Sequence, residues 1–490
     1  MAGKLRHHVG MSPWGTPPRD RTKSVNSNDF EAQARPSSAT TTHVIGSGGC
    51  AYPESGGREP LSIKHGPGSR VLETEVRAST AGDAAKIPKS LLQSSGSGVP
   101  ETYQSIIELC ERGRCLRQAC RADDAVGVFR HVIKIAQDVT PEPPPRLVAA
   151  TLYELGKSSR EAGRPAEAAE ALKKSLGIST ANLAPDDLWI GLILHELGTS
   201  VREAGRPWEA EEYLRRALEI KEVKLGVDDL GVAVTLKELG CCMRANQQER
   251  GAVGVLRRAL GLIEAKFGPH HLQTAPTLHE LGMCLRAAGL PGEAKGLLKR
   301  EVEILEAELG AKDLQVGVTL HELGLCVRAA GKSGEAQELF DRALHIKRAS
   351  LGPKDAQVAT TLHELGLCVW LDGRPEEAHV HLKRALQILE AGRGFGSEGA
   401  KNNCAVVLHD LGCCLRAAGR QHEAEGFLRR SLAIKRATTG SDSLQVASTL
   451  HELGWCFRDL GRPAEAEALL KQARRIKEAQ VGLTRGLPGL

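Results

Sequence analysis

The sequence predicts an all-α fold, a right-handed superhelical solenoid of helix pairs behind a disordered N-terminal tail. Three observations carry this expectation. A tetrapeptide returns every 42 residues through most of the chain, each period holds two apolar stripes of helical spacing, and the first hundred residues show neither feature. The composition agrees: aromatics are 3% of the 490 residues and charged residues 26%, in a chain rich in Ala, Leu, Glu and Arg. No run of 18 apolar residues exists, so no membrane span is expected. The net charge of +5, from 65 basic and 60 acidic residues, is too balanced to point to nucleic acid by itself. Thirteen cysteines in a chain of this length do not make a disulfide-built secreted domain.

Residues 1–103 read as a disordered tail. The first hundred contain 14 Ser, 13 Gly and 9 Pro, and their apolar residues recur with no helical or strand period. Such a segment cannot bury enough surface to offset its chain entropy. No apolar run of secretory length lies near the start. Arg6, His7, Arg19 and Arg21 give an acid-poor beginning of the kind organellar transit peptides have. Asp20, Asp29 and Glu31 point instead to a plain solvated tail.

From residue 104 to about 480 the chain repeats itself. The Gly of His-Glu-Leu-Gly is a convenient zero mark, and these glycines are Gly156, Gly198, Gly240, Gly282, Gly324, Gly366, Gly412 and Gly454. Every step is 42 residues except one of 46, whose excess falls in the Gly-rich stretch 392–403. A more divergent unit around Gly113 makes about nine, and residues 481–490 are left as a short C-terminal tail. A fixed period of this length is the mark of a repeat architecture.

Each unit reads as two helices. Around Gly324, Leu320, Leu323 and Val327 form one apolar stripe of a first helix. Ala329-Ala330-Gly331-Lys332 then breaks it, with Gly at the helix end. Sister units write the break as Gly-Arg-Pro, as at Gly163–Pro165 and Gly461–Pro463, and Pro suits the first turn of a following helix. The second helix carries Ala336, Phe340 and Ala343, and closes at Leu351-Gly352-Pro353. Small residues at Gly324, Ala336 and Ala343 let neighbouring helices approach.

This pattern resembles the tetratricopeptide repeat. Leu362, Leu365, Gly366, Ala378, Leu382 and Ala385 stand at that family's spacing, and the resemblance covers about residues 104–480. The standard unit has 34 residues. The longer units here, with the joint Leu351-Gly352-Pro353-Lys354-Asp355-Ala356-Gln357-Val358-Ala359, are most similar to the arrays of kinesin light chains and related adaptors. Two features depart from that group. Residues 1–100 hold no heptads of the kind through which a light chain binds a kinesin heavy chain, and the first helices carry His-Glu before the Leu instead of Asn-Asn. The resemblance therefore implies the fold and a peptide-adaptor role in the cytoplasm, without membership of a motor.

Stacked helix pairs expose their first helices on an inner wall. A second stripe of each first helix contains the residues at −3, +1 and +4 from the zero Gly. At −3 stand His195, His279, His321, His363, His409 and His451, with Tyr153 and Lys237 breaking the series. At +4 stand Arg202, Arg244, Arg286, Arg328, Arg416 and Arg458, preceded by Arg160 and interrupted by Trp370. Position +1 is mostly apolar, as at Leu325 and Leu367. Such a wall is expected to bind an extended protein or peptide segment with acidic and apolar side chains, since Arg takes carboxylate bidentately. A second reading is that each +4 Arg pairs with the acidic residue at −2 of a neighbouring unit, such as Glu322, Glu364 or Asp410, and serves structure alone.

Catalysis, metal and cofactors are not expected. Leu325 stands where a zinc protease would carry its second His after His321-Glu322. The cysteines at +2, such as Cys284, Cys326 and Cys368, lie 140° around the helix from the histidines, which excludes a shared ion. They read as small buried thiols in a reducing compartment. Basic pairs on the second helices, such as Arg215-Arg216 and Arg257-Arg258, give an alternative nucleic-acid role for the convex face. Glutamates flank them, and a solvated face is the favoured reading. A regulatory piece of a larger sensor is the remaining alternative.

Overall fold

The computed structural model of the chain describes residues 101–138, 143–392 and 397–485. The N-terminal tail lies outside the described residues except for 101–103, which begin the first helix. Eighteen α-helices follow as nine consecutive pairs: α1 (Glu101–Gln118) and α2 (Ala122–Asp138), α3 (Pro145–Glu161) and α4 (Pro165–Asn182), α5 (Leu188–Glu203) and α6 (Pro207–Leu225), α7 (Leu230–Ala245) and α8 (Glu249–Phe267), α9 (Ala275–Ala287) and α10 (Pro291–Leu309). The remaining pairs are α11 (Leu314–Ala329) with α12 (Ser333–Leu351), α13 (Ala356–Leu371) with α14 (Pro375–Ala391), α15 (Glu398–Ala417) with α16 (Gln421–Thr439), and α17 (Leu444–Asp459) with α18 (Pro463–Arg485). Each helix packs on its partner and on the next helix in the chain, and successive first helices also touch. The first helices therefore line the inner side of the stack.

Local chemistry explains where the helices start and stop. Most first helices begin at a side-chain cap: Asp313 accepts from Gln315 N at 2.8 Å and Asp355 from Gln357 N at 2.7 Å. Most second helices begin at a proline, as at Pro165, Pro207, Pro291 and Pro375. The break between the helices of a pair needs a left-handed residue, and Gly331 supplies it with φ 77°. In α9 Pro276 removes an N–H from the first turn, and Leu272–Thr274 tighten into a 3-10 turn ahead of the helix.

The zero glycine marks the closest crossing within a pair. A Cβ at Gly324 would stand 2.8 Å from the Phe340 ring, and one at Gly240 would stand 2.5 Å from Leu256. The stripes read from the sequence form the core, since Leu320, Leu323, Val327, Ala336, Phe340 and Ala343 are all buried. Three boundaries differ from the expectation: the first helix begins at Glu101, inside the stretch assigned to the N-terminal tail. Helix α18 continues to Arg485, into the stretch assigned to a tail. The 392–403 insertion is in part helix: α15 has 20 residues where α13 has 16, so the extra turn from Glu398 absorbs most of it.

The last unit is faced differently. Twenty residues after the zero Gly, eight units carry an apolar residue that packs towards the next pair, for example Leu218, Leu260, Val302, Leu344, Leu386 and Leu432. The ninth has Arg474, exposed and paired with Glu478 at 2.7 Å. A polar outer face is what a terminal unit of a stack needs.

Candidate functional site

The inner wall is a ladder of ion pairs running from one pair of helices to the next. The Arg at +4 of one unit meets the acidic residue at −2 of the following unit. The distances are 3.3 Å for Arg160–Glu196, 3.0 Å for Arg202–Glu238 and 3.0 Å for Arg244–Glu280. They are 3.5 Å for Arg286–Glu322, 3.0 Å for Arg328–Glu364 and 3.2 Å for Arg416–Glu452. Arg117–Glu154, at 3.1 Å, opens the series. The ladder is thus the structural arrangement that the sequence left as its second reading. Burial pushes the Glu280 carboxyl up, but Arg244 and His279 outweigh it and hold the group below the usual carboxylate range.

The histidines lie behind this ladder. His279, His321, His363 and His409 are buried, and so are Leu325 and Leu367, while His195 is half-buried. A single helix seen at 100° per residue places position −3 well away from the core stripe. In the stack the next first helix covers it, and the side chain is used across the joint. His195 Nδ1 lies 3.2 Å from Thr235 Oγ1, His321 Nδ1 3.2 Å from Thr361 Oγ1 and His409 Nδ1 3.3 Å from Thr449 Oγ1.

Each of these threonines also takes a buried lysine from the second helix between them. Lys221 Nζ donates to Thr235 at 2.8 Å, Lys347 to Thr361 at 3.1 Å and Lys435 to Thr449 at 2.9 Å. The hydroxyl gives its own proton to a carbonyl one turn back, Gln357 O in the case of Thr361. It can therefore accept from both the lysine and an Nδ1–H imidazole. Burial pushes all three lysines down to about 8.

Two joints vary the theme with opposite consequences. His279 Nδ1 is held by Glu301 at 3.1 Å, and Thr319 donates to the same carboxylate at 2.7 Å. Burial alone would lower His279, but Glu301 raises it to about 9. His409 has no such carboxylate partner. Burial, with Lys435 beside it, lowers it to about 4.

The ladder is open in two places. At +4 of the seventh unit Trp370 replaces Arg, and Asp410 turns to His363 instead, with Nε2 at 2.6 Å. Beside this break Leu371 is 63% exposed. The second opening is Arg458, which is exposed and lies 3.6 Å over the Trp455 ring, with His451 accepting from the indole N–H at 3.1 Å. Of the fourteen residues singled out from the sequence, His451 and Arg458 are the most accessible.

The family model for the tetratricopeptide repeat matches residues 147–222, 231–307, 308–391 and 404–479. The chain belongs to the tetratricopeptide repeat family. Among solved structures, a putative kinesin light chain of Podospora anserina with nearly identical repeats is 26% identical over 42% of this chain and 95% of its own, with a TM-score of 0.36. The apo quorum sensor NprR of B. thuringiensis superposes with a TM-score of 0.55 at 12% identity, covering 76% of this chain and 99% of that one. Apo RapI does so at 0.55 and 11%, covering 78% and 99%. These last two share the fold of the tetratricopeptide array. No curated protein sequence matches the chain. Among the described residues no helix is long and apolar enough to cross a membrane.

The +2 cysteines of the tetratricopeptide units are buried, and two of them donate to the preceding second helix, Cys414 to Pro375 O and Cys456 to Gln421 O. Burial pushes the thiols of Cys242, Cys284, Cys326 and Cys368 up to about 12. A thiol held protonated in this way packs as a small apolar group and is a poor nucleophile.

Proposed function

We propose that the array is a protein-interaction scaffold that takes an extended segment with acidic and apolar side chains along the C-terminal part of its inner wall. The carrying observation is where the charge ladder is open. Along most of the wall each guanidinium already has a carboxylate. A peptide carboxylate would have to displace it, with no net gain in pairing. At Arg458 the guanidinium has an aromatic ring beneath it and no carboxylate partner among the described residues, and at Trp370–Leu371 the wall offers apolar surface in place of charge. An acidic residue at the first point and a Leu- or Phe-like residue at the second give the segment its chemistry and its direction.

The test is an array of immobilised peptides in which one acidic and one apolar residue are moved along an Ala/Gly background. Spacing-dependent binding that is lost in both Arg458→Ala and Leu371→Ser, and kept in Arg244→Ala, supports the reading. Binding that follows Arg244 and ignores Arg458 and Leu371 contradicts it.

A further inference from the structure

The second helices carry two further charge registers, each of which forms ion pairs at several joints. Position +24 of one unit pairs with +18 of the next: Glu222 with Arg258 at 2.6 Å, and likewise Glu264 with Arg300, Glu306 with Arg342 and Glu390 with Arg430. Position +17 pairs with +11 of the next: Lys173 with Glu209 at 3.1 Å, Arg257 with Glu293 at 2.6 Å, and Arg130 with Glu167.

At the joint between α12 and α14 both registers fail together. The first puts Arg348 opposite Arg384, and the second puts Asp341 opposite Glu377. All four side chains are exposed. Neither Asp341 nor Arg348 has an ion-pair partner among the described residues. Glu377 is paired with Arg374 on its own helix at 3.2 Å, and Arg384 bonds to Gln387 at 3.2 Å. His381 lies half-buried between the two mismatches, where other units carry a large apolar residue such as Leu339 or Phe427. It is influenced by Asp341 and Glu377 with one sign and by Arg348 with the other.

The mismatches are arranged regularly. Asp341 and Arg348 are seven residues apart, as are Glu377 and Arg384, which is two turns and about 10 Å along one face of each helix. Midway on α14 stands Val380, 57% exposed. Other units have a polar or small residue there, such as Glu338 or Gly426. The patch therefore reads acid pair, valine, guanidinium pair. Turned by 180° about an axis through Val380, it becomes its own complement, with acids on guanidinia and valine on valine. A two-fold interface requires this kind of self-complementarity. An acidic peptide would use one end only and meet repulsion at the other.

We propose that two copies of the chain associate about a two-fold axis through the outer faces of α12 and α14, with Asp341 and Glu377 of each copy facing Arg348 and Arg384 of the other. Two short helix stripes bury little area, so the dimer is weak, and its exposed charges make it salt-sensitive.

Sedimentation velocity of the full chain, from about 1 to about 100 µM, tests this. The expected result is a monomer–dimer shift that weakens in about 0.5 M salt. The double variant Asp341→Lys/Arg348→Glu restores the regular pairing with Glu377 and Arg384. It should keep or raise the Tm, which reports what the mismatch costs the fold. Asp341→Lys/Glu377→Lys and Arg348→Glu/Arg384→Glu should each be monomeric alone and form a dimer when mixed. A full chain that stays monomeric across the range overturns the proposal. So does a mixture of the two charge-reversed variants that yields no dimer.

Discussion

Lys347 Nζ donates to Thr361 Oγ1 at 3.1 Å across the joint between α12 and α13, and Lys221–Thr235 and Lys435–Thr449 repeat the bond at two other joints. Each joint thereby carries a buried ammonium on a neutral partner. Burial lowers Lys347 to about 8, while the unfolded chain keeps its ordinary value near 10.4. Between those values the unfolded state binds more protons, so stability rises with pH through that window. Lys347→Met should stabilise the array at pH 7 by roughly 1–3 kcal/mol, and the gain should shrink towards pH 10. Urea midpoints at both pH values decide this, and a loss of stability at pH 7 would contradict it.

His279 and His409 should respond to pH in opposite directions. His279 is raised to about 9 by Glu301, so its contribution is complete below pH 6.5 and is lost as pH rises towards 9. His409 is lowered to about 4, so its contribution is complete above pH 6.5 and is lost as pH falls towards 4. His409→Gln should flatten the acid side of the stability profile and leave the alkaline side unchanged, and His279→Gln should do the reverse. Thermal melts from pH 4.5 to 9 read both.

The Arg328 guanidinium covers Glu364, whose side chain is only 7% exposed. Arg328→Ala should cost about 1–3 kcal/mol, because it leaves that carboxylate poorly satisfied. Adding Glu364→Gln should recover part of the loss. Arg458→Ala should leave stability nearly unchanged, since this exposed guanidinium covers no buried carboxylate among the described residues. Equal destabilisation by Arg328→Ala and Arg458→Ala would contradict the ladder as the cause.

Gln247 stands where most other units place a left-handed glycine between the helices of a pair, and its φ is 61°. Gln247→Gly should relieve that strain and stabilise the α7–α8 pair by roughly 0.5–1 kcal/mol. The check is a urea midpoint, with Gly331→Gln as the reverse substitution expected to destabilise.

The period, the zero glycine and the two stripes of each unit were legible because they are satisfied within one unit. Gly324 against Phe340 needs only local spacing. The role of the histidines was not legible in the same way. The partner of His321 is Thr361, forty residues on, and the lysine that completes the set, Lys347, comes from the intervening helix. A helical wheel drawn for one unit has no place for its neighbours. The Arg–acid pairs were visible as an open alternative, because both members recur in phase. The absorption of the insertion into α15 was not, since its glycines read as a loop.

Arg474 has a consequence for how such a chain can change its length. Internal joints bring together the same two apolar faces, so a block duplicated in phase inside the array arrives with both of them intact. A block appended after α18 would meet the one outer face that carries an arginine where the others carry an apolar residue. In-phase insertion or removal of a whole unit inside the array should therefore be tolerated better than addition after α18.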